Sequence, residues 1–137
     1  MKIAYKIQVS GQATDLRFVG DDYIASSGEI IIEGDSLPEI NTLHSLDYLK
    51  QEKIAESKIE ASRRINETLP DWMVNRHRDQ IELGVNTTLS AEEYKLKQYK
   101  RQAVRDASNT IEAEILAISD SATCLTFDVV NHSAWPV

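Results

Sequence analysis

Apolar and polar residues alternate along the start of the chain. Every second position from Ile3 to Val9 is apolar, and Ser10 and Gly11 follow, so this stretch predicts a strand that ends in a turn. Two further short strands are predicted over residues 15–19 and 29–33, each followed by a Gly-Asp turn signal. The pattern therefore predicts a β-meander or a small antiparallel sheet, with free edges, over residues 1–41.

The periodicity changes to three and four after residue 41. It predicts a helix over residues 46–69, a second over 71–83 and a third from Ser90 to about Ser119. Pro70 separates the first two, and Gly84 is a C-terminal cap for the second. Ser90 and Glu93 form a capping box for the third helix. Residues 42–119 are thus predicted to be a helical hairpin or three-helix segment, and the whole chain an α+β protein.

The third helix carries an apolar stripe with small residues in its middle. Ala103 and Ala107 would let another helix approach closely, which favours an antiparallel hairpin with the helix over residues 46–69. The stripe is predicted to consist of Leu96, Tyr99, Ala103, Ala107, Ile111, Ile115 and Ile118.

The C-terminal part, residues 120–137, is predicted to be a short strand or an extended tail. Residues 123–130 alternate in the manner of a strand, and the chain then reaches Trp135 and Pro136. A terminal Trp beside Pro is either docked in a pocket of its own chain or offered to a partner.

Charge and cysteine content narrow the classes of partner. The net charge is −7, and residues 1–41 contribute −4, so binding to nucleic acid or to an anionic membrane is not expected. Cys124 is the sole cysteine, which excludes an internal disulfide and a Cys-rich zinc site. The first residues lack the apolar core of a signal peptide, and no run is long enough to cross a membrane. We expect a protein made in a reducing cytoplasm.

No motif indicates catalysis. His44, His77 and His132 lie in three different predicted elements without metal-ligand spacing. Asp21 and Asp22 follow Gly20 and are better explained as a turn than as a metal site. There is no phosphate-binding loop and no arrangement of a nucleophile, a base and a carboxylate. We therefore expect a non-enzymatic protein without a cofactor or a bound metal.

Two tryptophans are candidates for partner contact. Trp72 follows Pro70 at a helix junction, where it could be a core staple or a contact residue, and Trp135 has the two alternatives given above.

Five short motifs occur one after another along the chain. They are Arg63-Arg64-Ile65-Asn66, Leu69-Pro70-Asp71-Trp72, Leu89-Ser90-Ala91-Glu92-Glu93, the run from Val104 to Glu112, and Ala134-Trp135-Pro136. In this order the chain resembles small proteins encoded beside the tail-fibre genes of tailed bacteriophages. These comprise tail-fibre assembly proteins, which are chaperones for a trimeric fibre, and small virion components of the tail-fibre region.

The resemblance implies a protein-binding module that acts on a phage tail fibre in the host cytoplasm, and that stays on the virion in the second subgroup. Self-association of the chain is a further expectation. The residues expected to contact the partner are Trp72, Arg105, Asn109, Trp135 and Pro136.

Other functions were weighed beside this one. A structural virion protein without a chaperone role is the first alternative, and a phage-encoded inhibitor of a host defence protein is the second. The acidic residues are not arranged in regular rows, which disfavours mimicry of nucleic acid. A metal-dependent hydrolase built on Asp21 and Asp22 ranks last.

Overall fold

Three antiparallel strands at the N-terminus precede a set of helices, which confirms the predicted α+β class. The computed structural model describes all residues, 1–137. The strands are β1 (Lys2–Ile7), β2 (Ala13–Val19) and β3 (Glu29–Glu33). A short 3-10 helix, Ile40–Leu43, leads to α1 (Leu46–Thr68), α2 (Asp71–Leu83), α3 (Ala91–Leu116) and α4 (Ser121–Thr126).

The strand order corrects the predicted meander. The order is β2-β1-β3, with β1 in the centre and antiparallel to both neighbours. Since β2 and β3 run in the same direction, the chain between them must return along the sheet, and residues 20–28 are long enough to do so. Ile3, Ala4 and Tyr5 of the central strand are buried, whereas the edge strands are only partly covered.

A half-buried ion pair connects the two edge strands across β1: the Glu29 side chain is buried, whereas that of Arg17 is 42% exposed. Arg17 of β2 and Ile31 of β3 both face Ala4, whose short side chain leaves room above the sheet. Arg17 Nη2 donates to Glu29 Oε2 over 2.5 Å, and Glu29 also accepts hydrogen bonds from Tyr23 and Ser26 in the loop 20–28. The carboxylate therefore holds both the loop and the opposite strand in place.

The helix ends follow the local signals in the sequence. Pro70 is the N-cap of α2, and Gly84 is its C-cap, with a φ of 68° that suits glycine. The Ser90 hydroxyl accepts a hydrogen bond from the backbone N–H of Glu93 at the start of α3, as a capping box requires. The predicted bounds are therefore confirmed to within a few residues, except that α3 ends at Leu116, three residues before the predicted end.

Helices α1 and α3 pack as the predicted antiparallel hairpin. Ser57 and Ser108 are buried and share a hydrogen bond of 3.1 Å, while Lys97 near the start of α3 donates to the carbonyl of Thr68 at the end of α1. Ala107 is buried at this interface, as predicted, but Ala103 is exposed. The buried side of α3 is formed by Arg101, Val104, Ala107, Ser108, Ile111 and Ile115.

The strand predicted over residues 123–130 is wrong. Residues Ser121–Thr126 form α4 instead, because Asp120 caps this helix. Its carboxylate accepts hydrogen bonds from both the backbone N–H and the hydroxyl of Thr123. The remaining residues to Val137 contain turns and no regular element.

The chain divides into two compact units. One comprises Met1–Lys53 with Ala117–Phe127, and the other Ile54–Leu116 with Asp128–Val137. These units differ from the three predicted ranges, 1–41, 42–119 and 120–137. Helix α4 belongs to the first unit and the residues after it to the second, so the predicted tail is shared between them.

Candidate partner-binding surface

The junction between α1 and α2 places Trp72 at the surface. Pro70 has the fixed φ of −66° that suits the residue before a helix, and Trp72 is the second residue of α2. Its side chain is on a face of α2 other than that of the buried Val74 and His77, and the residue is 58% exposed. Of the two alternatives for Trp72, the structure therefore shows the exposed position and not the core staple.

Arg76 lies one helical turn after Trp72 and stacks on it. The guanidinium carbon is 5.1 Å from the centroid of the Trp72 ring, a cation-π distance. This contact reduces the rotamer freedom of an exposed aromatic side chain, so less entropy is lost when a partner covers it. Trp and Arg are also the residue types that most often dominate binding energy at interfaces.

A small cleft opens beside this pair. We call it the Trp72 cleft, and its volume is about 80 Å³, the size of one side chain. Its walls are Trp72, Met73, Arg76, His77, Gln80, Thr88 and Leu89. All seven residues belong to α2 or to the loop that follows it.

His77 forms the rigid side of the cleft. It is only 5% exposed and stacks on Tyr94 of α3 with ring centroids 3.9 Å apart and an angle of 10° between the rings. Its Nδ1 atom is buried and has no hydrogen-bond partner. An uncommitted buried nitrogen is unusual in a folded protein and is often found where function needs it.

The loop wall of the cleft is fixed by one side chain. The Gln80 amide oxygen accepts a hydrogen bond of 3.0 Å from the backbone N–H of Thr88, and its nitrogen donates to the Thr88 hydroxyl over 3.1 Å. Leu89 is thereby held beside α2. The cleft is thus preformed, which lowers the entropy lost on binding.

Arg105 and Asn109 lie in a different place. Both are exposed, one turn apart on α3, and line a shallow groove between α3 and α1. This groove shares no residue with the Trp72 cleft. The structure therefore brings Arg105 and Asn109 together with each other but not with Trp72.

Trp135 is docked in its own chain, the first of its two alternatives. It is 5% exposed, and its indole N–H donates to the carbonyl of Val129 over 2.7 Å. Arg64 covers the ring at 4.9 Å and donates to the carbonyl of Val130. Pro136 is partly exposed and lines a groove with residues of α1 and α3. Contact between Trp135 and a partner would require this docking to be undone.

The position of Arg64 depends on a buried carboxylate. Glu60 binds Arg64 over 2.8 Å and Arg63 over 2.6 Å. The hydrogen bond from Arg63 is the main cause that holds the pKa of Glu60 below its ordinary value, and Arg64 adds to it. The ionised Glu60 therefore keeps Arg64 over Trp135.

Several surface residues are not predicted by the sequence pattern. Leu96 and Tyr99, assigned to the buried stripe of α3, are exposed, and so are Ile81 and Leu83 at the end of α2. Arg76 and His77 were not identified as partners of Trp72. The spacing of four between Trp72 and Arg76 was a usable signal, since residues i and i+4 are neighbours on a helix.

The structure contains neither a cluster of metal ligands nor a membrane-spanning helix. No group of three or more His, Cys, Asp or Glu residues lies close enough together to hold a metal ion. None of the helices is both long and apolar enough to cross a membrane. What the surface does offer is an exposed aromatic residue beside a preformed cleft.

Comparison with known proteins returned no relative of this chain. No protein-family model matches it, and neither a curated protein nor a solved structure does. Any functional inference must therefore come from the surface just described and from the motif order in the sequence.

Proposed function

We propose that this chain is a non-enzymatic protein-binding module that contacts its partner through the Trp72 cleft. The observation that carries the proposal is the exposed Trp72, stacked by Arg76 at the mouth of a preformed cleft. A protein partner that inserts one apolar side chain into the cleft would cover the indole ring and desolvate the Trp72–Arg76 pair. Such a central aromatic anchor next to a pocket is the common energetic core of a protein interface.

The partner we propose is a bacteriophage tail fibre, and the site of action the host cytoplasm during fibre assembly. The motif order between residues 63 and 112 and the terminal Trp135-Pro136 support this identity. A preformed cleft on α2 suits a chaperone, because a chaperone must bind a folding chain without losing its own structure. If the chain is one of the small virion components, we propose that it stays on the virion tail after assembly.

Co-expression tests the proposal. The chain is produced together with the fibre protein encoded beside it, and soluble fibre trimer and its complex with the chain are measured on a sizing column. We expect more soluble trimer and a co-eluting complex. If the chain adds no soluble trimer and elutes alone, the proposal is wrong. Mass spectrometry of purified particles then separates a virion component, which is present, from a chaperone that leaves.

The matched variants are Trp72→Ala and Tyr99→Ala. Tyr99 is a second exposed aromatic residue, 63% exposed, with Lys95 above its ring at 5.8 Å, but it does not line the Trp72 cleft. We expect Trp72→Ala to weaken the complex about tenfold or more and Tyr99→Ala to change it less than about threefold. Equal losses would show that exposed aromatic residues act without regard to the cleft.

A further inference from the structure

Strand β3 is an edge of the sheet whose outer side is open. It pairs with β1 alone, in a register that sets Lys2 opposite Glu33 and Ala4 opposite Ile31. The backbone N–H of Gly34 donates to the carbonyl of Met1, which makes the Lys2–Glu33 pair a non-hydrogen-bonded one. The pairs of an antiparallel ladder alternate, so Ile30 and Ile32 bond to β1, whereas Ile31 and Glu33 point their N–H and C=O groups away from it.

These outward groups are not used within the chain. No hydrogen bond to the backbone of Ile31 or Glu33 is formed by a loop or by a side chain. Four main-chain groups are thus available in the spacing of an antiparallel strand. Open edges of this kind bind extended segments by adding a strand to the sheet.

The side chains on the two faces of β3 define what an added strand would meet. Ile30 and Ile32 lie on one face, and Ile30 is 41% exposed, so the added strand would gain from apolar residues next to them. On the opposite face Glu29 is already bound by Arg17, Tyr23 and Ser26. Glu33 is exposed, and although Lys2 lies opposite it on β1, the two side chains form no ion pair. The charged side chain of β3 that remains open to an added strand is therefore negative.

The same charges disfavour a second copy of the chain as the occupant. If β3 of one copy paired with β3 of another around Ile31, Glu33 would face Glu29 of its partner. Like charges directly opposite one another on adjacent strands are destabilising. A strand with a basic residue at that position would instead form an attractive pair with Glu33.

We infer that the outer edge of β3 binds an extended, basic segment of a partner protein by antiparallel strand addition. Read from its N-terminus, the segment carries Lys or Arg opposite Glu33, an apolar residue opposite Ile32, any residue opposite Ile31, and an apolar residue opposite Ile30. This is a second binding surface, located in the first compact unit, and it does not depend on the Trp72 cleft.

An NMR titration of the ¹⁵N-labelled chain tests the inference. The probe is the capped heptapeptide Thr-Lys-Val-Thr-Val-Thr-Gly, and its control has Glu in place of Lys. We expect saturable amide shifts at residues 29–33 with the Lys peptide and binding about fivefold to tenfold weaker with the Glu peptide. No shifts with the Lys peptide, or equal shifts with both, would overturn the inference.

Variants at the edge sharpen the test. Glu33→Lys is expected to reverse the preference, so that the Glu peptide binds more tightly than the Lys peptide. Ile31→Pro removes an N–H that points away from β1 and leaves the hydrogen bonds between β1 and β3 in place. It should therefore abolish peptide binding while the other amide signals keep their positions. Ile31→Val keeps the N–H and should bind as the original chain does.

Two further measurements distinguish a failure of this inference from a failure of the proposal for the Trp72 cleft. Concentration-dependent dimerisation that Ile31→Pro removes would overturn the inference, because it would make a second copy the occupant. The Trp72→Ala variant is expected to bind the Lys peptide normally. If Trp72→Ala binds both the fibre and the Lys peptide as the original chain does, only the proposal for the Trp72 cleft has failed. If Trp72→Ala loses the fibre but the original chain does not bind the Lys peptide, only the inference for β3 has failed.

Discussion

The two tryptophans are predicted to differ sharply in their effect on stability. Trp135→Ala removes a buried ring, its hydrogen bond to the carbonyl of Val129 and its contact with Arg64. Replacement of a buried Trp by Ala costs about 3–5 kcal/mol. Trp72→Ala removes a ring that is 58% exposed, and substitution at such a surface changes stability by about 1 kcal/mol or less.

The loss of stability expected for Trp135→Ala is large in relation to the free energy of unfolding of the whole chain. A domain of this size has a free energy of unfolding of about 5–15 kcal/mol, so the variant would lose about a fifth of it or more. The loss combines burial of an aromatic side chain with a hydrogen bond, because the buried carbonyl of Val129 loses its indole donor. Trp135→Phe is the matched variant, since it keeps a six-membered ring and loses the hydrogen bond, at about 1 kcal/mol, together with the smaller part of the ring system.

Urea denaturation followed by far-UV circular dichroism measures these differences. The free energy of unfolding in water is extrapolated for the original chain and for the three variants. The order of stability should be Trp72→Ala highest, Trp135→Phe intermediate and Trp135→Ala lowest. If Trp135→Ala were as stable as Trp72→Ala, the docking of the C-terminal residues would be refuted.

Three further predictions concern the sheet and the helix ends. The Ser26 hydroxyl, with Tyr23, holds the pKa of Glu29 far below its ordinary value. The carboxylate therefore stabilises the fold above about pH 4, and this stabilisation is lost as the pH falls further. Between about pH 5 and 3 the urea midpoint should therefore drop less for Glu29→Gln than for the original chain. Gly11→Ala should destabilise the chain by more than about 1 kcal/mol in the same urea assay, because Gly11 has a φ of 90° and an added Cβ would lie 2.1 Å from the Ser45 hydroxyl; a neutral effect would contradict this turn. Ser90→Ala removes the cap of α3 and should cost about 1 kcal/mol, whereas Ser90→Asp should retain most of the stability.

The helix ends could be predicted because their causes are local. Pro70, Gly84 and Ser90 act through the backbone of their own turn, so the sequence contains the whole signal. The same local chemistry explains the error in the C-terminal part. Asp120 and Thr123 have the spacing of an N-cap, but the alternation of residues 123–130 indicates a strand and conflicts with that signal.

Strand order and burial could not be predicted in this way. The pairing of β3 with β1, and not with β2, joins residues from Lys6 with Glu29 to Lys2 with Glu33, far apart in the sequence, and short strands carry no signal for their neighbour. The exposure of Leu96 and Tyr99 depends on which helices cover the first half of α3, which the spacing of apolar residues does not contain. Trp72 was identified as a candidate from its residue type, whereas its cleft depends on packing of His77 against Tyr94.

The most direct measurement of the central claim uses the two tryptophans as reporters. The chain contains only Trp72 and Trp135, so fluorotryptophan labelling gives a ¹⁹F spectrum with two signals, which Trp72→Phe assigns. On titration with the proposed partner, a tail-fibre protein, the Trp72 signal should shift as the exposed ring is covered, while the Trp135 signal keeps its position. A shift of the Trp135 signal alone, or of neither signal in a complex that a sizing column detects, would contradict binding through the Trp72 cleft.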